Sequence, residues 1–269
     1  MTLKNIPSRR WTEKETILAL FLYFQLPFGK IDSGTPEIQK LASAIGRTSN
    51  SVAMKLGNFA SLDPKITGSG RRGLTGTSKQ DRQLYAKFSA DWTLLVTEAE
   101  LLWSETVAQS SPTSKDEVRD VQSEYQFQKH FDASTSQVIV SRRIGQNFFR
   151  RAVIANFEEQ CCITGLSEPR LLIASHIRPW HADEHNRHNP ANGLLLSATF
   201  DRAFDCGLIS ADQNKCLHIS QQLLEHTGER TRSFFEPFSG TRLRPAARLE
   251  PDPEFLDWHF TNVFIDNRI

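Results

Sequence analysis

Between residues 161 and 210 the sequence brings together residue types that could hydrolyse a phosphodiester with the help of a metal ion. His176 ends a short apolar run, Asn192 stands in an Asn-Gly turn dipeptide, and Asp201 and Asp205 are four residues apart, hence on one helical face. Carboxylate oxygens are hard ligands that suit Mg²⁺ or Mn²⁺. An imidazole can take a proton from water near neutral pH, turning the water into a nucleophile. A cation beside it would neutralise the charge that develops on the phosphate and the leaving oxygen. Asn192 would hold the loop between these groups and so fix the orientation of the imidazole.

Such residues need elements that aim them at one another. Leu171–Ala174 reads as a strand ended by Ser175 and His176, after which Pro179 and Trp180 turn the chain. The polar stretch HADEHNRHNPANG (181–193) is a loop, Leu194–Leu196 a second strand, and Ser197 the cap of a helix carrying both aspartates. His181, His185 and His188 lie in the polar loop and read as solvated or close to phosphate. Cys216-Leu217-His218 reads as an alternating strand, and Cys161 and Cys162 as core. Arg142, Arg143, Arg150 and Arg151 recur at helical spacing around Phe148 and Phe149, and would follow a DNA backbone or form a solvated face.

The first third of the chain has a different character. Residues 1–90 carry 14 Lys and Arg against 6 Asp and Glu, a net +8, whereas residues 91–135 carry 3 against 9, a net −6. A basic segment of this size suits nucleic acid. Thr12 and Glu15 form a capping box before an apolar run, and Pro36 opens a second helix. In Ile38–Phe59 the small Ala42, the turn glycine Gly46 and the inward Val52 stand where a helix-turn-helix needs them. Asn50, Ser51 and Lys55 would then face outward into a major groove, with Arg47 on a phosphate. Residues 64–80, with four glycines, read as a mobile loop presenting Arg71 and Arg72.

Composition bounds the alternatives. A chain of 269 residues, 39% hydrophobic and 23% charged, makes one large domain or two smaller ones with a substantial core. No apolar run reaches the length of a membrane span, and the first residues lack the apolar stretch of a signal peptide. The four cysteines form no CxxC pair, so a four-thiolate zinc site is not expected and nothing calls for an oxidising compartment. A cytoplasmic protein is expected.

The motifs of the last half resemble those of the HNH endonucleases, in particular their restriction-type branch. They are Cys161 with Thr164 and Gly165, ASHIRPW (174–180), NPANGL (189–194) and DRAFDCG (201–207). RRIGQNFFRRAVIANF (142–157) and PDPEFLDWHFTNVF (251–264) are similar to the segments flanking that domain, so the resemblance extends over about 130 residues. It implies a ββα-metal finger with His176 as general base, Asn192 as the central asparagine and Asp201 as the third, metal-binding member, while Asp205 reads as a further metal ligand or as a partner of backbone amides at the helix end. Two departures stand out. Ser175 replaces the acidic or histidine ligand that often precedes the base, so that Asp205 or a water would have to substitute. Asp201 stands in place of histidine, which favours Mg²⁺ or Mn²⁺.

The expected fold class is therefore α+β: a helical, helix-turn-helix-like domain over 1–105 with a DNA-binding or regulatory role, a linker over 106–135, and an HNH nuclease domain over 136–269. The expected substrate is double-stranded DNA, with Arg47, Asn50, Ser51, Lys55, Arg71, Arg72, Arg142, Arg143, Arg178 and Arg187 as its contacts and no membrane involved. A role in restriction or anti-phage defence follows from the resemblance. Cutting both strands would call for a homodimer. The rival readings are a DNA-binding regulator with a degenerate finger, and a nuclease gated by an N-terminal interaction or sensor domain.

Overall fold

The computed structural model describes residues 9–109 and 135–267, and of 107–109, 135–144 and 267 the backbone alone. Helix α1 (Glu13–Phe24) starts at the capping box read from the sequence: Thr12 Oγ1 accepts from the Glu15 amide at 3.3 Å, and the Glu15 carboxylate accepts from the Thr12 amide at 3.0 Å. From Glu15 to Phe24 this helix is buried on almost every side. A helix apolar all round has to be surrounded. It is packed by α2 (Pro36–Ala44), α3 (Ser49–Ala60), α5 (Lys79–Ala90), α6 (Trp92–Gln109) and α7 (Thr135–Asn156). Gly46, at φ +64°, closes α2 while the Arg47 amide reaches back to the Ala42 carbonyl at 2.9 Å, a turn that a side chain at this position would strain. Part of the expected mobile loop is ordered as the short α4 (Pro64–Gly68), capped by Asp63. Helix α6 continues to Gln109, so the first four residues of the expected linker are helical. Its residues 110–134 lie outside the described part.

Helix α7 joins two hydrophobic cores. Phe148 and Ala152 pack with the N-terminal helices, whereas Phe149, Val153 and Phe157 pack with the second half. Neighbours on a helix point about 100° apart, so consecutive phenylalanines can serve two cores. The second half holds two small antiparallel sheets and helices. Strands β1 (Leu172–His176) and β2 (Gly193–Ser197) pair in the register Leu172 to Ser197 and His176 to Gly193. Then follow α8 (Ala198–Asp205), the pair β3 (Ile209–Ala211) and β4 (Leu217–Ile219), α9 (Gln221–Glu225), α10 (Glu229–Phe235) and α11 (Pro253–Asn262). Cys161 and Cys162 are fully buried in this core, as their sequence context suggested. A buried Arg248 ties the halves together: it donates to the Tyr23 carbonyl at 2.6 Å and the Leu26 carbonyl at 2.7 Å, with its guanidinium over the Tyr23 ring. Among the described residues, no helix is long and apolar enough to cross a membrane.

Two expected DNA contacts turn inward. The Arg47 side chain is 7% exposed; it donates to the Glu15 carboxylate at 2.8 Å and to the Arg9 and Arg10 carbonyls, and lies over the Trp11 ring. Lys55, 6% exposed, is paired with the buried Asp81 at 2.8 Å. The cause is the same in both cases. Glu15 and Asp81 are the acidic members of the capping boxes that open α1 and α5, each carries charge into a buried place, and a cation is needed beside it. Lys55→Met therefore strands the Asp81 charge and is expected to cost ~3–5 kcal/mol in urea unfolding. Adding Asp81→Asn should return part of that loss, and a single variant within about 1 kcal/mol of wild type would show that the pair contributes little.

Candidate active site

The loop between β1 and β2 is closed by Asn192, which is 1% exposed and lies in the turn Pro190–Asn192. Its side-chain oxygen accepts from the Arg178 amide at 2.8 Å, its Nδ2 donates to the Arg178 and Asn186 carbonyls at 3.2 and 3.3 Å, and its own carbonyl accepts from the Ile177 amide at 2.9 Å. Asp183, Asn186 and Asn189 continue this ladder through the loop. The asparagine thus ties both ends of the loop to one another, the task its position in the turn suggested.

His176 sits at the end of β1, with one ring face stacked on Phe149 of α7 at 3.6 Å and 9°. Trp180 meets it edge-on at 5.6 Å. The Phe149 ring can take this place because residue 193, opposite His176 in the hairpin, is glycine. A Cβ there would come within 2.9 Å of Phe149 Cζ and 2.5 Å of Val153 Cγ2. His176 Nε2 lies 3.0 Å from the Arg187 carbonyl oxygen. A carbonyl only accepts, so Nε2 carries the proton and Nδ1 keeps the lone pair. Burial holds the His176 pKa below its ordinary value, against the Arg187 carbonyl, which favours the charged ring. At neutral pH the imidazole is therefore an unprotonated base with a fixed tautomer.

Asp201 and Asp205 project from α8, which begins directly after β2. The Asp201 carboxyl is pushed up to about 6, first by desolvation and then by the neighbouring Asp205, while Ser175 and Arg202 pull the other way. Asp205 is raised as well by desolvation, opposed by Arg202, although its side chain is more open to solvent. Among the described residues neither carboxylate has a salt bridge. The Ser175 hydroxyl is buried near Asp201 without a well-formed hydrogen bond. Adjacent carboxylates kept from their preferred charge, with an unsatisfied hydroxyl next to them, fit a small divalent cation. No group of three or more His, Cys, Asp or Glu among the described residues could enclose one. Mg²⁺ commonly takes only one or two protein carboxylates and leaves its other positions to water and phosphate, so the donor set suits it.

The other expected contacts are distributed unevenly. Arg187 lies over Trp180, with Nε donating to the Trp180 carbonyl at 2.8 Å and a terminal nitrogen to Glu184, so its side chain braces the loop whose carbonyl holds His176. Arg178 faces Asp183 at 3.5 Å and stacks over Phe255 and Trp258 of α11. Asn50 is exposed and Ser51 half-buried on α3; Arg71 pairs with Glu158 at 2.7 Å, and Arg72 is exposed. The side chains of Arg142 and Arg143 are outside the described part. Of the loop histidines, His181 and His185 are exposed, whereas His188 is half-buried. Phe149, Gly193 and the Arg187 carbonyl, which complete the histidine's setting, carry no signal of that role in the sequence; Gly193 shows there only as part of the Asn-Gly turn.

Residues 161–212 match the model of the HNH endonuclease family. The match runs from Cys161 through β1, β2, α8 and β3 to Asp212, and so includes His176, Asn192, Asp201 and Asp205. It supports a nuclease. No curated protein matches the chain.

Proposed function

We propose that the chain is a metal-dependent endonuclease that hydrolyses phosphodiester bonds of double-stranded DNA, with a role in restriction or anti-phage defence as the resemblance of its motifs implies. One observation carries the reading: an imidazole of fixed tautomer shares a strand-loop-strand-helix unit with two carboxylates that form no salt bridge among the described residues. Asp201 and Asp205 would hold the ion. When bound, Mg²⁺ or Mn²⁺ supplies positive charge against the phosphate oxygens and the leaving group. His176 Nδ1 takes the proton of the water that attacks phosphorus. The Arg187 carbonyl keeps the ring aligned and stabilises the imidazolium that results, because Nε2–H donates more strongly once the ring is charged. Asn192 keeps the loop, and with it that carbonyl, in register. Of the N-terminal residues, the outward Asn50 and Arg72 remain candidates for DNA, whereas Arg47 and Lys55 do not.

The test is supercoiled plasmid incubated with the full-length protein and Mg²⁺ or Mn²⁺. Nicked or linear DNA that disappears with a chelator is expected, and linear product from single encounters would indicate a paired enzyme. Intact plasmid with both ions would leave a DNA-binding protein with a degenerate finger.

The raised Asp201 carboxyl gives the metal affinity a pH dependence. Below about pH 6 a proton occupies Asp201 and must leave when the cation binds. Apparent Mg²⁺ affinity is expected to rise about fivefold from pH 5 to pH 6 and to level off above pH 7, with proton release seen by calorimetry in two buffers of different ionisation enthalpy. A flat profile would show that Asp201 does not bind the ion.

A further inference from the structure

Helix α6 belongs to the N-terminal half, yet Thr93 in its first turn reaches the loop that aligns His176. Its Oγ1 lies 3.3 Å from the His185 carbonyl and 3.2 Å from His188 Nδ1. Its own helix does not need this hydroxyl, since Asp91 Oδ1 already accepts from the Leu94 amide at 2.9 Å. Threonine in a helix usually turns its hydroxyl to the carbonyl four residues back. Thr97 and Thr106 of the same helix do so, bonding to the Thr93 and Leu102 carbonyls. Thr93 instead bonds across to another element. A carbonyl only accepts, so the consistent assignment has the hydroxyl donating to His185 O and accepting from His188 Nδ1–H.

The two partners of Thr93 flank Arg187, the residue whose carbonyl holds His176 Nε2. The pinned segment is also packed from two sides. Trp180 stands edge-on to His176 and His188 alike, at 5.6 Å from each ring. Helix α7 approaches closely enough at Gly145 that a Cβ there would lie 2.3 Å from His188 Nε2. His188 is kept neutral at ordinary pH, its pKa lowered to about 4 by burial and then by charge at His176 and Arg187. A neutral ring suits a hydrogen-bonded strut between helix and loop.

We infer that Thr93 is a positioning residue for the nuclease reaction: through His185 and His188 it fixes the Arg187 carbonyl and thereby the tautomer and orientation of His176, so that an N-terminal helix forms part of the catalytic apparatus. This rests on His176 acting as the base. It also gives the N-terminal half a task that does not depend on touching DNA.

The experiment compares full-length wild type, Thr93→Val, Thr93→Ser and Gly145→Ala. On plasmid with Mg²⁺, Thr93→Val is expected to lose about 10- to 100-fold in kcat, the cost of a small misalignment of a reacting group, with KM for DNA and the melting temperature unchanged. Thr93→Ser, which keeps the hydroxyl, should stay within about twofold of wild type. Gly145→Ala, which displaces His188 from the other side, should show the same kcat loss. A readout independent of cleavage accompanies these: ¹⁵N imidazole signals should report His176 as Nε2–H in wild type and Thr93→Ser, and as a tautomer mixture in Thr93→Val, with faster amide exchange at Asn189 and Asn192. Wild-type kcat and unchanged His176 signals in Thr93→Val would overturn the inference. If wild type itself does not cut DNA, the nuclease reading falls. The imidazole and exchange signals then decide the positioning role separately, unchanged signals refuting it and altered ones upholding it.

Discussion

His176→Ala is expected to lower DNA cleavage by ~10²–10⁴ while leaving DNA affinity near wild type. The loss follows from removing a neutral imidazole whose Nε2 is held by the Arg187 carbonyl and whose Nδ1 keeps its lone pair. The substitution also leaves a flat slot bounded by Phe149 and Trp180, whose rings meet the imidazole face-on and edge-on. Added imidazole can enter such a slot, so partial recovery of nicking with millimolar imidazole is expected, with no recovery from an equal concentration of an apolar ring compound. Single-turnover nicking and gel-shift titration measure the two quantities separately. A variant within about tenfold of wild type would remove His176 from the proton-transfer role.

Asp201→Ala should be nearly as severe. It would take away one of the two carboxylates proposed to hold the cation, and with it several kcal/mol of charge stabilisation, about 10³-fold in rate. Mg²⁺ binding by calorimetry should weaken in parallel, which distinguishes lost metal from a lost base. Asp201→His should keep some activity with Mn²⁺ or Ni²⁺ and little with Mg²⁺, because imidazole suits the later transition ions. The partner carboxylate gives an internal control. Asp205 helps to push the Asp201 carboxyl up, so Asp205→Asn should bring the Asp201 titration down from about 6 toward the ordinary aspartate range. Normal Mg²⁺ binding and normal cutting by Asp201→Ala would refute the metal assignment.

Much of this site could be read in the sequence because its information is local. An apolar run, an Asn-Gly turn and two aspartates at helical spacing give β1, β2, α8 and the loop lock at Asn192 with strand ends displaced by a residue or so. The Thr12 capping box and the Pro36 helix start are local signals too, and both are present. What could not be read depends on partners far along the chain. Lys55 looks solvent-facing until Asp81, 26 residues later, is packed against it, and Arg47 until Glu15 is. His188 looked solvated because its partner Thr93 is 95 residues away. The tautomer of His176 is set by a backbone carbonyl, which every residue possesses and which therefore leaves no mark in a sequence.

The Arg248 anchor has a consequence for the order in which the protein can assemble. The Tyr23 carbonyl lies in the last turn of α1, where a helix leaves acceptors unpaired, the Leu26 carbonyl lies just beyond it, and the guanidinium that satisfies them arrives 225 and 222 residues later. Loops of that length close late and make for slow folding. During translation the N-terminal helices must therefore wait, with the end of their central helix open to water, until nearly the whole second half has been made. A ribosome-bound chain stalled before residue 248 should accordingly be sensitive to protease near Tyr23 and become resistant once synthesis has passed that arginine. A product that ends before residue 248 would lack this tie and leave the end of the central N-terminal helix open to water.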